Sequence, residues 1–219
     1  MTFEVRHRGP DGEGYLAIRD ATATPFAGPG TPAGIFDSHF AYAPRAALEE
    51  GLPLRAALGH RRLSIVDLSP AGHQPMCTED QRYWIVYNGE IYNHIELRAE
   101  LEMAGYKFCS HTDTEVILHA YREWGSDCLH RFNGMFAFLI YDNVAARIFA
   151  ARDRFGVKPL YYWKSPIGFV AFASEIKQFT VLPGWQADLN GQRAYDFLAW
   201  GLFDHTAETL FQEVQQLCG

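Results

Sequence analysis

The hexapeptide Asn88-Gly89-Glu90-Ile91-Tyr92-Asn93 follows directly on the apolar run Tyr83-Trp84-Ile85-Val86-Tyr87. An Asn-Gly pair is an ordinary turn signal. It is also a pair of converging donors, because the Asn side-chain amide lies beside a glycine N–H that a ligand can approach closely, and two such donors are what a tetrahedral oxyanion needs. A second stretch, Arg61-Arg62-Leu63-Ser64-Ile65-Val66-Asp67, reads either as a basic strand edge with Arg62 in a core salt bridge, or as a guanidinium offered bidentately to a small carboxylate. The third candidate is Asp113 in Thr112-Asp113-Thr114-Glu115. An acid in the first turn of a helix is favourable on dipole grounds alone, and the same carboxylate can serve as counterion to an ammonium. Together, the arginine, the aspartate and the donor pair would grip an amino acid at both α-substituents while its side-chain carbonyl is attacked.

These groups need a frame. Tyr83–Tyr87, Met135–Tyr141, Arg147–Ala151, Leu160–Trp163 and Gly168–Ala173 are short, aromatic and β-branched, and read as strands. The last four succeed one another through turn-length connections, which predicts antiparallel pairing. One helix is expected from the N-cap Asn93, with Glu96 at its third position, Leu97 and Leu101 on one face and Gly105 at its end. Another is expected from Thr112, with Glu115 at the third position and an apolar stripe through Val116, Ile117, Ala120, Tyr121 and Trp124. A further helix starts after Asn190 and runs through Ala194, Phe197 and Leu198. Residues 21–55, rich in Ala, Pro and Gly, read as an insertion or long loop that is ordered, because Phe36, Phe40 and Tyr42 would be out of place in a free linker. The pattern describes helices packed on antiparallel sheets without fixing the number of layers.

Composition narrows the function. At 219 residues, 48% hydrophobic and 21% charged, the chain suits one sizeable domain. A net charge of −7, with no dense Lys/Arg cluster, argues against nucleic acid as a partner. No stretch has the apolar length of a membrane span or a signal peptide, so a cytoplasmic protein is expected. Cys77, Cys109, Cys128 and Cys218 show neither metal-site nor disulfide-framework spacing, and the nine histidines are scattered; no metal is assigned.

The motifs also occur in a recognisable order. His7-Arg8-Gly9-Pro10-Asp11-Gly12-Glu13-Gly14 is followed by Gly59 to Ser69, Ala71-Gly72-His73-Gln74-Pro75-Met76 and Asn88 to Asn93. Then come Asp113-Thr114-Glu115, Gly134 to Phe138, Arg152 to Tyr162 and Ala173-Ser174-Glu175-Ile176-Lys177. This series resembles the class II glutamine amidotransferase domain of glutamine-hydrolysing asparagine synthetases. Leu63 to Asp67 and Gly156 to Tyr161 favour that type over sugar-phosphate or phosphoribosyl amidotransferases.

The resemblance implies an α+β fold, the four-layer α/β/β/α sandwich of N-terminal-nucleophile hydrolases, over a single domain spanning 1–219. It implies that Arg62 binds the α-carboxylate of L-glutamine, that Leu63, Ser64, Ile65 and Val66 line the pocket, and that Asn88 and Gly89 form the oxyanion hole. Gly89, Glu90 and Asp113 would receive the ammonium, and Arg8, Gly9, Pro10 and Asp11 would close the site. In the family an N-terminal cysteine is the nucleophile. No Met-Cys-Gly-Ile opening is present here, and Thr2 stands too close to Arg8 to replace it, so the first strand and the nucleophile are expected to be missing and the chain to be inactive or a glutamine-binding module. A missing central strand would expose two sheet edges and favour self-association. No pyrophosphate loop of the S-G-G-x-D-S kind occurs, so ATP and Mg²⁺ are expected only in an accompanying synthetase domain.

Overall fold

The computed structural model describes residues 1–47, 51, 53–65 and 67–219. Eleven strands and three α-helices are formed among them: β1 (Gly12–Arg19), β2 (Thr22–Ala27), β3 (Ala46–Ala47), β4 (Ala56–Arg62), β5 (Met76–Cys77), β6 (Tyr83–Ile91), α1 (His94–Met103), α2 (Asp113–Trp124), β7 (Gly134–Asp142), β8 (Arg147–Arg152), β9 (Tyr161–Lys164), β10 (Val170–Ala173), α3 (Gly191–Trp200) and β11 (Val214–Gln216). No helix among the described residues is long and apolar enough to cross a membrane.

The strands form three hydrogen-bonded sheets. One has the order β3-β2-β1-β4, one β5-β6-β7-β8 and one β10-β9-β11. All pairings between strands are antiparallel except the short β2–β3 contact. The first and third sheets end on β4 and β10, and both strands line the same cavity. A 3₁₀ segment, Thr2–Arg8, packs on β4 and on the helical turn Ile176–Val181 beyond β10. It lies there as a helix and pairs with neither strand, so the two edges are not joined through it.

Residues 21–55 are less irregular than their composition suggests. β2 forms a hairpin with β1, pairing Tyr15 with Phe26 and Arg19 with Thr22. Phe40 stacks on Tyr42, and the Tyr42 hydroxyl donates to Ala71 O. Phe36 stays exposed. Residues 48–50 and 52 of that stretch lie outside the described residues. The hairpin was hard to read because β1 carries Gly12 and Gly14 and β2 carries Pro25, residues that ordinarily weaken a strand.

The main core lies between β6, β7 and the helices α1 and α2. Trp84, Ile85, Phe138, Leu101 and Ile117 are buried in it almost completely, each contributing about 1.5–3 kcal/mol on removal from water. α2 is capped as expected, Thr112 Oγ1 accepting from Glu115 N at 3.2 Å. Asn93 stands at the N-cap position of α1 as expected, but its side chain makes no capping bond. Its amide donates to Arg131 O at 2.9 Å and accepts from Asn133 N at 2.9 Å, tying the end of β6 to the approach to β7. Gly105, at φ +97, ends α1 where a side chain would be strained. α3 starts on its Asn190 cap and buries none of its side chains.

The run of antiparallel strands is broken once, between β8 and β9, where the chain leaves one sheet for another. Asp153, almost fully buried, directs that crossing. Its carboxylate accepts from the main-chain N–H groups of Phe155, Val157, Lys158 and Phe136. Burial alone would raise the Asp153 carboxyl, but these four donors outweigh it and hold it below the ordinary range. A depressed folded-state value gives stability that is complete above the unfolded carboxylate range near pH 4 and is lost as pH falls below it. Asp153→Ala should therefore cost about 3 kcal/mol at pH 7 by stranding buried donors. Denaturant unfolding should show the deficit shrinking towards pH 2; a pH-independent deficit would exclude the carboxylate as its source.

Candidate functional site

One cavity of about 480 Å³ opens between β4, β6, β10 and the start of α2. Its geometry starts from β6. Phe136 faces β8, since Phe136 O accepts from Asp153 N, and Tyr92 N donates to Asn133 O. Antiparallel alternation then makes Gly89–Phe136 a pair without ladder bonds. The N–H groups of Tyr87, Gly89 and Ile91 consequently leave β6 on the edge away from β7. Tyr87 N meets Gln74 Oε1 at 2.7 Å and Ile91 N meets Asp113 Oδ2 at 3.0 Å. Gly89 N–H emerges between them, and Gly89 lines the cavity.

Asn88 supplies the second donor. Its Nδ2 is buried without any partner, and the residue also lines the cavity. A buried amide left unbonded is costly, so this atom is an unmet demand for an acceptor. Gly89 has a structural reason as well: a Cβ there would strike Met135 O and come within 2.7 Å of Phe136 Cα. Close approach to β7, as much as room for a ligand, requires glycine.

The two adjacent arginines separate by strand alternation. Arg61 pairs with buried Glu13 at 3.0 Å across β1–β4, so the core salt bridge belongs to Arg61. Arg62 lines the cavity and has no carboxylate partner among the described residues. Its guanidinium is steadied by the carbonyls of Asp67 and, at 2.9 Å, Ser69, which leaves N–H donors unspent. Burial draws its pKa down, partly offset by the nearby carboxylates of Asp67 and Asp11; it remains a cation.

Asp113 opens α2 and is held firmly there. Glu115 accepts from Cys109 N and Ser110 N at 2.8 and 2.7 Å, fixing the approach to the helix. Tyr87 Oη donates to Asp113 Oδ2 at 2.6 Å. Burial, and then the charge of Asp113, push the Tyr87 hydroxyl well above its ordinary value, so it keeps its proton. Leu63, Ser64, Ile65 and Glu90 also line the cavity; Val66 lies outside the described residues. Of the Arg8-Gly9-Pro10-Asp11 loop, Arg8 reaches the cavity. Asp11 instead braces the site's wall, its N–H donating to Arg62 O at 3.0 Å and its Oδ2 accepting from Ser64 N at 2.8 Å.

Several lining residues carried no sequence signal of this role: His60, Gln74, Tyr87 and Ser174; Thr2, set aside in the sequence as a nucleophile, also lines the cavity. Thr2 Oγ1 is engaged with Tyr15 Oη at 2.8 Å. His60 Nε2 bonds Tyr87 O at 2.9 Å, and burial lowers its pKa to about 4, so it is neutral near pH 7. No cysteine is among the described lining residues. Burial raises the thiols of Cys77 and Cys128, the latter to about 12.

The chain is similar to known proteins in sequence and in fold. Residues 48–219 match the family model described as "Glutamine amidotransferase domain". Asparagine synthetase [glutamine-hydrolyzing] 1 of Bacillus subtilis is 41% identical over 181 residues, 83% of this chain and 23% of that protein. A probable asparagine synthetase [glutamine-hydrolyzing] of Dictyostelium discoideum is 45% identical, across 81% of this chain and 26% of its own length. Among solved structures, glutamine phosphoribosylpyrophosphate amidotransferase from B. subtilis, complexed with ADP and GMP, superposes with a TM-score of 0.62 at 24% identity. That match covers 82% of this chain and 39% of the other, and it shows the shared sandwich fold. The chain thus spans about a quarter of the length of these curated relatives.

Glu175, next to the lining residue Ser174, clamps His7 and Arg8, which line the cavity. It accepts from His7 and Arg8 at 3.0 and 3.1 Å and pairs with Lys177 at 2.9 Å. Burial opposes its ionisation, but these partners outweigh it and hold its carboxyl at about 2. Glu175→Ala should release the Thr2–Arg8 segment. Trypsin should then cut after Arg6 and Arg8 several-fold faster than in the wild type, and equal cleavage rates would show that the clamp does not hold the segment.

Proposed function

The chain belongs to the glutamine amidotransferase domain family, in the form that asparagine synthetases carry, and on that premise we propose that its cavity binds L-glutamine and polarises the side-chain amide. The observation that carries this reading is the orphaned Asn88 Nδ2 beside the outward Gly89 N–H. Both donors suit a carboxamide oxygen, and both strengthen as that oxygen becomes a tetrahedral oxyanion. Arg62 offers its unspent N–H groups to the α-carboxylate, a charge-assisted and bidentate match. Asp113, with Glu90 beside it, takes the α-ammonium. Leu63, Ser64 and Ile65 form the wall, and the Arg8–Asp11 loop braces it.

Chemistry in this scheme needs a nucleophile opposite the donor pair, which the resemblance assigns to an N-terminal cysteine at the head of a strand. The edges of β4 and β10 that no strand pairs with both border the cavity, where the Thr2–Arg8 segment packs on β4 and on the turn beyond β10. With no cysteine among the described lining residues, the 219-residue chain is assigned binding of glutamine without turnover, as a glutamine-binding module would show. In a full-length protein, released ammonia would amidate aspartate in a synthetase domain, and ATP and Mg²⁺ belong to that domain in this scheme.

Titration calorimetry with L-glutamine tests the assignment. Arg62→Ala and Asp113→Ala should each weaken binding by about 1.5–3 kcal/mol, the value of a charge-assisted hydrogen bond. His119→Ala should have little effect, since His119 packs between Tyr106 and Phe108 and is not among the cavity's lining residues. Equal effects at all three positions would contradict the assigned roles, as would ammonia release by this chain at an enzymatic rate.

A further inference from the structure

Asp113 Oδ2 is held by two donors from one strand, Tyr87 Oη at 2.6 Å and Ile91 N at 3.0 Å. Oδ1 has no hydrogen-bond partner among the described residues, and Asp113 lines the cavity. A carboxylate turns easily about its last torsion, which is broad and nearly two-fold. Two donors on one oxygen stop that rotation and fix which oxygen faces the ligand. Ile91 N–H alone would leave the group a hinge about a single bond.

We infer that Tyr87 is a positioning residue that aims the free oxygen of Asp113 at the α-ammonium of a bound amino acid. The inference rests on the glutamine reading of the cavity and adds a determinant of ammonium recognition to it. Tyr87 and Asn88 are neighbours on β6 and serve different ends of one ligand. Both residues line the cavity, Asn88 with its unpartnered amide and Tyr87 with its hydroxyl on Asp113 at the start of α2, while Gln74 anchors the Tyr87 main chain and reaches Thr114 Oγ1 at 3.3 Å. A single strand segment thereby sets the distance between amide recognition and ammonium recognition.

The test is Tyr87→Phe, which removes one hydroxyl and keeps the ring. L-glutamine and its des-amino analogue, glutaramate, are titrated into the wild type, Y87F, D113A and the double variant. Y87F should bind L-glutamine about five- to tenfold more weakly and glutaramate as the wild type does. The double variant should be no weaker for L-glutamine than D113A, because the hydroxyl acts through Asp113. Equal weakening of both ligands would overturn the inference, since it would make Tyr87 a packing residue only. Unchanged L-glutamine affinity in Y87F would overturn it too, while leaving the glutamine reading intact. A wild type that binds neither ligand would overturn that reading and this inference with it.

Discussion

Antiparallel alternation between β6 and β7 is the constraint on which the site depends. Once Phe136 is committed to β8, Gly89 cannot join the β6–β7 ladder, and its N–H must leave on the opposite edge. The neighbouring outward donors are used by Gln74 and Asp113, so Gly89 is the one left for a ligand. A one-residue slip would exchange the faces that Asn88 and Tyr87 occupy and break the Tyr87–Asp113 bond. Gly89 and Gly134 resist that slip, because a Cβ on either would collide with the facing backbone.

The same economy governs the opposite wall. Arg61 spends its charge on Glu13 within the first sheet, while Arg62, one residue on, is held by carbonyls and keeps donors for the cavity. The wall is braced by the main-chain N–H and the carboxylate of Asp11, and Glu175 clamps His7 and Arg8, so charged groups hold the loops without pairing with the arginine that faces the ligand. β4 and β10 border the cavity as unpaired sheet edges, which sets this site apart from a pocket walled by side chains alone.

Much of this was legible in sequence where one residue type has one dominant physical use. Thr112 and Glu115 announce a helix start, and Asn88-Gly89 announces paired donors after an apolar strand. Asn93 marks the start of α1, but its amide bridges two strand ends in place of a capping bond. In the sequence Tyr87 is one more residue of an apolar strand, since nothing local marks a tyrosine whose partner lies 26 positions away. Glu175 and Asp153 stood inside recognised motifs, yet their partners come from distant segments or from backbone amides that side-chain patterns do not reveal. The β1–β2 hairpin was masked by glycine and proline, and its stability comes from Phe26, Ile18 and Leu16 meeting the core.

The central claim concerns one amide. Backbone NMR of the chain titrated with L-glutamine reads it directly. The account predicts that the Gly89 amide and the Asn88 side-chain NH₂ shift together with one saturation curve, as both acquire the same carboxamide oxygen. A saturable response elsewhere in the cavity that leaves Gly89 and Asn88 unmoved would contradict it.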